Sequence, residues 1–342
     1  MVPPMATLKS LQQNLTANYC IELGVLTATT TYYRISMFAA LTVSTSSATF
    51  MIYFIAKYYS SSTLFHSNLR MLYFFLSLCC LSFDVFNIIM KIHHVTVSFP
   101  SGNPCEIIMP KIFFIATSVP LFFSMGGAQF AQMSMVIERW IAFIYVRDYE
   151  SGYRKLGPVL IVAAMVLNFG SLFYIYNGET FDVPQWNARS MPSSTYPRSS
   201  VALLVMLTMN FLALLLTVAL YFFSRRRRRT LTLSSKFQAN ENAIISRLLF
   251  QTSSIQFTVL CLTQIIGLYL RTYQFGNPLR TAYRENSDLF NYYTLILPLL
   301  STVYFAKVKR KRVEDITNHI DMKATGNEGW TNYSRILRNQ WK

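Results

Sequence analysis

Seven stretches of 18 to 26 residues carry no lysine or arginine and, Asp84 apart, no acidic residue. They lie between Arg34 and Lys57, Arg70 and Lys91, Lys111 and Glu138, Lys155 and Glu179, Arg198 and Arg225, Arg247 and Arg271, and Asp288 and Lys307. Each is long enough to cross a hydrocarbon core of roughly 30 Å as a helix of about 20 residues. The expected fold is therefore an all-α membrane protein, a seven-transmembrane helix bundle. Hydrophobic residues make up 52% of the chain and charged residues 13%, against about 25% charged in soluble domains, which argues against a water-soluble fold.

The net charge of +16 has to be placed before it is interpreted. With the N-terminus outside, the inner segments hold 22 lysines and arginines and the outer segments 9. Loops kept in the cytoplasm are enriched in these residues, so the distribution predicts the N-terminus outside and the C-terminus inside. The charge then reports topology, not nucleic acid. Residues 1–34 read as an extracellular segment, 35–306 as the membrane domain and 307–342 as a cytoplasmic tail. The first 34 residues contain no apolar core of about 7 to 15 residues behind a positive start, so no cleavable signal peptide is expected there.

Arg225 to Arg229 form a run of five arginines below Tyr221, Phe222 and Phe223. Each basic residue at a lipid boundary attracts anionic inner-leaflet lipids by about 1 kcal/mol. A second cluster, Lys307 and Lys309 to Arg312, precedes Val313, Ile316 and Ile320 at helical spacing, which predicts a short amphipathic basic helix lying on the inner leaflet. The tail beyond Met322 reads as polar and loose. Asn14 heads an Asn-Leu-Thr glycosylation acceptor on the predicted outer side. Cys79, Cys80 and Cys261 fall within spans, whereas Cys20 and Cys105 fall on the oxidising side and form a candidate disulfide pair.

Asp84 is the one charged residue within the seven apolar stretches. A charge at membrane depth costs at least about 2.5 to 3.5 kcal/mol, so Asp84 should face the bundle interior as a polar switch, an ion or water site, or a structural hydrogen-bond acceptor. Glu138, Arg139 and Trp140 stand where the third span leaves the lipid. An adjoining acid and base at that point can exchange partners between two states, with Glu241 near the start of the sixth span as a further partner for Arg139. Polar residues that interrupt the apolar faces are candidates for a small-molecule pocket: Thr117, Ser118, Gln129, Asn168, Asn210, Gln264, Tyr292 and Tyr293. The bland alternative for each is interhelical glue. Gly126 and Gly127 suggest a close helix approach or a slight kink in the third span.

The triplet Glu138-Arg139-Trp140 resembles the acidic, arginine, aromatic triplet of the seven-helix G-protein-coupled receptors. The longer run through Ile141 and Ala142 to Asp148, Tyr149 and Glu150, with His66, Asn68 and Leu69 before the second span and Pro104 with Cys105 before the third, is similar to the nematode chemosensory serpentine receptors of the alpha, alpha-beta, beta and epsilon classes. The resemblance implies a plasma-membrane chemoreceptor, on sensory-neuron cilia, that binds an external small molecule. It also implies a heterotrimeric G protein as partner, with Arg139 contacting its alpha subunit. The sixth span lacks the tryptophan and proline common in rhodopsin-like receptors, and Leu297-Pro298 replaces their Asn-Pro pair. Residues 289–306 contain no lysine for a retinal Schiff base, and the four histidines fall outside the apolar stretches, so neither light sensing nor metal or hydrolytic catalysis is expected. No cofactor is implied. The rival class is a seven-span channel or transporter, which the basic-residue asymmetry and the lack of internal repeats oppose.

Overall fold

The computed structural model describes residues 29–59, 66–99, 108–145, 149–153, 155–181, 195–227, 233–273, 279–320 and 326–340. Seven of its helices are long and apolar enough to cross a membrane. In chain order these are helix one, Thr31–Tyr59, helix two, Ser67–Ser98, and helix three, Lys111–Ile144. Helix four is Leu156–Tyr176, helix five Tyr196–Arg227, helix six Leu233–Tyr273 and helix seven Phe290–Ile320. Short helices Tyr149–Gly152 and Arg280–Asn286 precede helices four and seven, and a tail helix occupies Gly326–Gln340. No strand occurs among the described residues.

Helix three occupies the middle, touching helices two, four, five and six, while helix seven closes the bundle against helices one and six. Its central course requires small residues. A Cβ at Gly126 would collide with Asn168 Oδ1, and one at Gly127 would lie 2.9 Å from Cys79 Sγ. These two glycines therefore let helix three pack closely against helices two and four, as their sequence suggested. Helix four lies at the periphery: Val159, Val162, Val166, Phe169 and Phe173 are exposed on it, the surface expected of a helix facing acyl chains. The end of the bundle where helix three finishes is here the Arg139 end, and the opposite one the Lys91 end.

Phe54, Tyr58, Tyr73 and Phe305 clasp helices one, two and seven near the Arg139 end, with ring centroids 5.3 to 6.0 Å apart. Tyr73 also bonds Ser301, and the Tyr58 hydroxyl donates to the Thr302 carbonyl at 3.3 Å. Such edge and offset ring pairs add about 0.5 to 1.5 kcal/mol each beyond area burial.

The helices outrun the apolar stretches in two informative places. Helix two continues past Lys91 to Ser98, and helix seven runs unbroken from Phe290 to Ile320. The basic cluster at 307–312 therefore extends helix seven and does not begin a separate amphipathic helix. The physical reason is local: no glycine or proline separates Phe305 from Ile320, and lysine, arginine and glutamate are good helix formers. The segment beyond residue 325, read as loose from its polarity, contains the tail helix, with Trp330 and Tyr333 exposed on it.

Candidate functional site

At the Arg139 end the acid and base of the triplet are withdrawn from the surface. Glu138 is fully buried and Arg139 is 2% exposed. The two carboxylate oxygens take the guanidinium Nε and Nη2 in a fork, the bidentate geometry in which arginine binds carboxylates most strongly. Tyr149, in the short helix after helix three, donates its hydroxyl to Glu138, and its ring lies 6.0 Å from the Arg139 guanidinium. Burial and then the Glu138 charge hold the Tyr149 phenol above its ordinary pKa, with Arg139 opposing, so the hydroxyl keeps its proton and remains the donor.

Helix two completes this cluster from the other side. Asn68, fully buried in the first turn of the helix, donates its amide to the Tyr149 hydroxyl at 3.2 Å and to the Tyr153 carbonyl at 2.7 Å. His66 caps the same helix by accepting from the Asn68 N–H, and its ring sits 4.8 Å from the Tyr149 ring. His66, Asn68, Glu138, Arg139 and Tyr149, scattered over more than 80 positions, thus form one relay of hydrogen bonds and ring contacts. Trp140 points away from it, donating Nε1–H to the Leu216 carbonyl of helix five at 3.1 Å. Glu241 lies in helix six, but its side chain falls outside the described residues, as do Asn14, Cys20 and Cys105.

A second polar layer crosses the bundle interior. Asp84 accepts from the Ser47 hydroxyl at 2.6 Å and from the Thr294 hydroxyl at 2.8 Å, one bond to each oxygen. Asn87, one turn on, donates to Ser44 at 2.6 Å and to Asn291 at 3.1 Å. Helices one, two and seven are therefore cross-linked by side chains that neutral hydroxyls and amides can satisfy, consistent with Asp84 facing inward. Tyr293 donates to Gln132 at 3.2 Å, and Gln132 donates to Ser253 at 2.6 Å, joining helices seven, three and six. Gln132, Ser253 and Gln256 were not singled out by the sequence reading. Gln256 is fully buried, with neither amide atom bonded to any described residue.

The remaining pocket candidates do not converge on one cavity. Thr117 folds its hydroxyl back onto the Phe113 carbonyl of its own helix, and Ser118 neighbours Tyr176. Asn168 donates to the Phe123 carbonyl at 2.8 Å, serving the close contact of helices three and four. Gln264 is half-buried and Tyr292 is 47% exposed on the outside of helix seven. Gln129 and Asn210 do meet, at 3.2 Å between helices three and five.

The Lys91 end holds what the sequence concealed. Lys91 and Glu285, each with a fully buried side chain, form an ion pair between helix two and the short helix before helix seven. Around it, Met37 Sδ lies 3.7 Å from the ammonium, and the Tyr33 hydroxyl meets His94 Nδ1 at 3.1 Å. Lys91 had served only as the boundary of an apolar stretch. A partner 194 positions away leaves no local signal.

The family model described as serpentine type 7TM GPCR receptor class ab chemoreceptor matches residues 20–342 of the chain. Serpentine receptor class beta-17 of Caenorhabditis elegans is 30% identical over 302 residues, covering 85% of this chain and 82% of the relative. Class beta-15 of the same organism is 27% identical over 323 residues, covering 90% and 94%.

Proposed function

This chain belongs to the serpentine-type seven-transmembrane receptor family of class ab chemoreceptors, and from that membership we propose that it is a G-protein-coupled chemosensory receptor of the plasma membrane. Its N-terminus faces outward, an external small molecule binds among the helices, and a heterotrimeric G protein docks at the Arg139 end. Sensory-neuron cilia are the proposed site of action, and anionic inner-leaflet lipids meet the arginine run at 225–229. The observation that carries the signalling reading is the buried fork between Glu138 and Arg139, clasped by Tyr149 and Asn68.

A guanidinium 2% exposed offers a cytoplasmic protein nothing to grip, so this conformation is the resting one. Ligand binding shifts helices three, five and six, releases Arg139 from Glu138 and presents it to the alpha subunit. A two-state equilibrium responds to any contact made in only one state. Glu138→Gln keeps the shape and one acceptor but removes the charge. It is expected to raise ligand-free second-messenger output about tenfold, the shift that roughly 1.4 kcal/mol of lost resting-state pairing produces. Adding Arg139→Ala should abolish that rise with surface expression retained. Unchanged basal output in Glu138→Gln at equal surface expression would count against the switch. An epitope tag on the N-terminus unreadable in intact cells would count against the topology.

A further inference from the structure

The chain leaving helix four turns back on itself at the Lys91 end. Gly178 takes φ +77°, and Phe181 takes φ +54°, the one positive φ outside glycine among the described residues. Aromatic residues rarely accept that left-handed backbone, which persists only where surrounding contacts hold it. The Phe181 N–H donates to Glu179 Oε1 at 3.0 Å. Its ring packs inward, 6.1 Å from the Phe114 ring of helix three and 5.5 Å from the Tyr176 ring of helix four. Phe181 thus lies partly buried against the apolar core, while Thr180 before it is exposed.

Beside that ring two hydroxyls are left over. Ser118 lies one turn deeper than Phe114 on the same face of helix three and is 1% exposed. Its Oγ neighbours the Tyr176 hydroxyl, yet both oxygens are buried and neither is hydrogen-bonded to any described residue. Thr117, the adjoining residue, folds its hydroxyl onto a carbonyl of its own helix, so depth in the bundle alone does not orphan a hydroxyl. Buried hydroxyls without partners forfeit the hydration they had in water, and most native structures avoid them. Tyr176 joins the two features, with its ring against Phe181 and its hydroxyl beside Ser118.

We propose that Phe181 is a built-in plug in the ligand site of the receptor. The ligand is a neutral molecule with one aromatic ring and a carbonyl, which displaces the Phe181 ring and accepts from the Ser118 and Tyr176 hydroxyls. This rests on the receptor reading above and names its ligand class. The displaced side chain itself measures the space: a phenyl ring fits against Phe114 and Tyr176 because one is there. A carbonyl oxygen has two lone pairs, so a single acceptor serves both hydroxyls. A carboxylate or an ammonium would have to shed its hydration beside apolar rings, so the ligand is uncharged. Displacement also releases Phe181 from its disfavoured backbone, which favours the ligand-bound state.

The test is equilibrium binding of tritiated acetophenone to the full chain in lipid nanodiscs, with the uptake of empty nanodiscs subtracted. Phe181→Ala removes the plug without touching the hydroxyls and should tighten binding about tenfold, because the ligand no longer competes with an internal ring. Glu179→Ala keeps the ring but frees the Phe181 N–H, and should tighten binding about threefold. It carries the same comparison if the thermal midpoint shows Phe181→Ala to be poorly folded. Ser118→Ala or Tyr176→Phe, each added to Phe181→Ala, should weaken binding about fivefold. Ethylbenzene, with the ring alone, and 2-butanone, with the carbonyl alone, should compete poorly. Binding no tighter in either plug variant than in the parent would overturn the plug. Ethylbenzene competing as well as acetophenone would assign the hydroxyls to a bridging water and overturn the ligand class. Binding as expected in a receptor that activates no G protein supports the site and removes the signalling reading. Activation by acetophenone that ignores all four substitutions overturns the site and leaves the receptor standing.

Discussion

Lys91→Met is expected to destabilise the receptor by about 3 to 5 kcal/mol, the cost of stranding one half of a buried ion pair. Lys91 and Glu285 have no side-chain exposure at all, so after the substitution the Glu285 carboxylate would lose the ammonium that pairs with it in a place sealed from solvent. The effect should spread beyond the pair. Glu285 sits in the short helix Arg280–Asn286, whose last residue, Asn286, bonds Ser36 and donates to the Tyr32 hydroxyl at 2.6 Å. The Lys91 contact therefore anchors, on helices one and two, the loop that leads into helix seven. A pair that costs much to break often contributes little net stability, because its desolvation offsets its attraction. Lys91→Met combined with Glu285→Leu should consequently recover most of the loss. The thermal midpoint of purified receptor and its surface expression measure both outcomes. A single Lys91→Met variant as stable as the parent would show that the pair is not closed in the membrane.

Gly157→Ala is the second large effect, and it arises from backbone. A Cβ there would stand 2.9 Å from Asn68 Cα and 3.1 Å from the Asn68 carbonyl oxygen. Neither atom can rotate away as a side-chain tip would, so helices two and four must separate at the Arg139 end. Overpacking of this kind costs about 1 to 3 kcal/mol, and a backbone contact belongs at the upper end. Asn68 also holds Tyr149, which holds Glu138. The displacement should therefore disturb the arginine clasp as well as stability, raising ligand-free signalling in the fraction that still folds. Gly170→Ala on the same helix is the control, since a Cβ there meets nothing within 4 Å. It should be neutral or gain up to about 1 kcal/mol from helix propensity. Equal melting of the two variants would sink the contact argument.

The motif residues illustrate how much of the site a linear reading reaches. Glu138 and Arg139 were visible because an acid and a base stand together where apolarity ends, and His66, Asn68 and Tyr149 because they fit a family pattern. Their joining into one relay was not visible, since it depends on the short helix Tyr149–Gly152 packing onto the base of helix two. Gln129 and Asn210 were named among eight polar interruptions, yet sequence could not say that these two meet while Asn168 braces a neighbouring helix and Tyr292 faces outward. Gln132, Ser253 and Gln256 escaped notice because single polar residues at helical spacing look alike whether they cross-link helices or face a groove.

Seven apolar runs of membrane length, with basic residues crowded beside alternate ends, were enough to determine a helical bundle, because hydrocarbon leaves a backbone no other way to satisfy its amides. Tertiary packing alone decided which charges could be buried. Lys91 looks like the end of a span until Glu285 is brought beside it, since the free energy of a charge depends on the neighbour it meets in space, and that neighbour is set by how the helices pack.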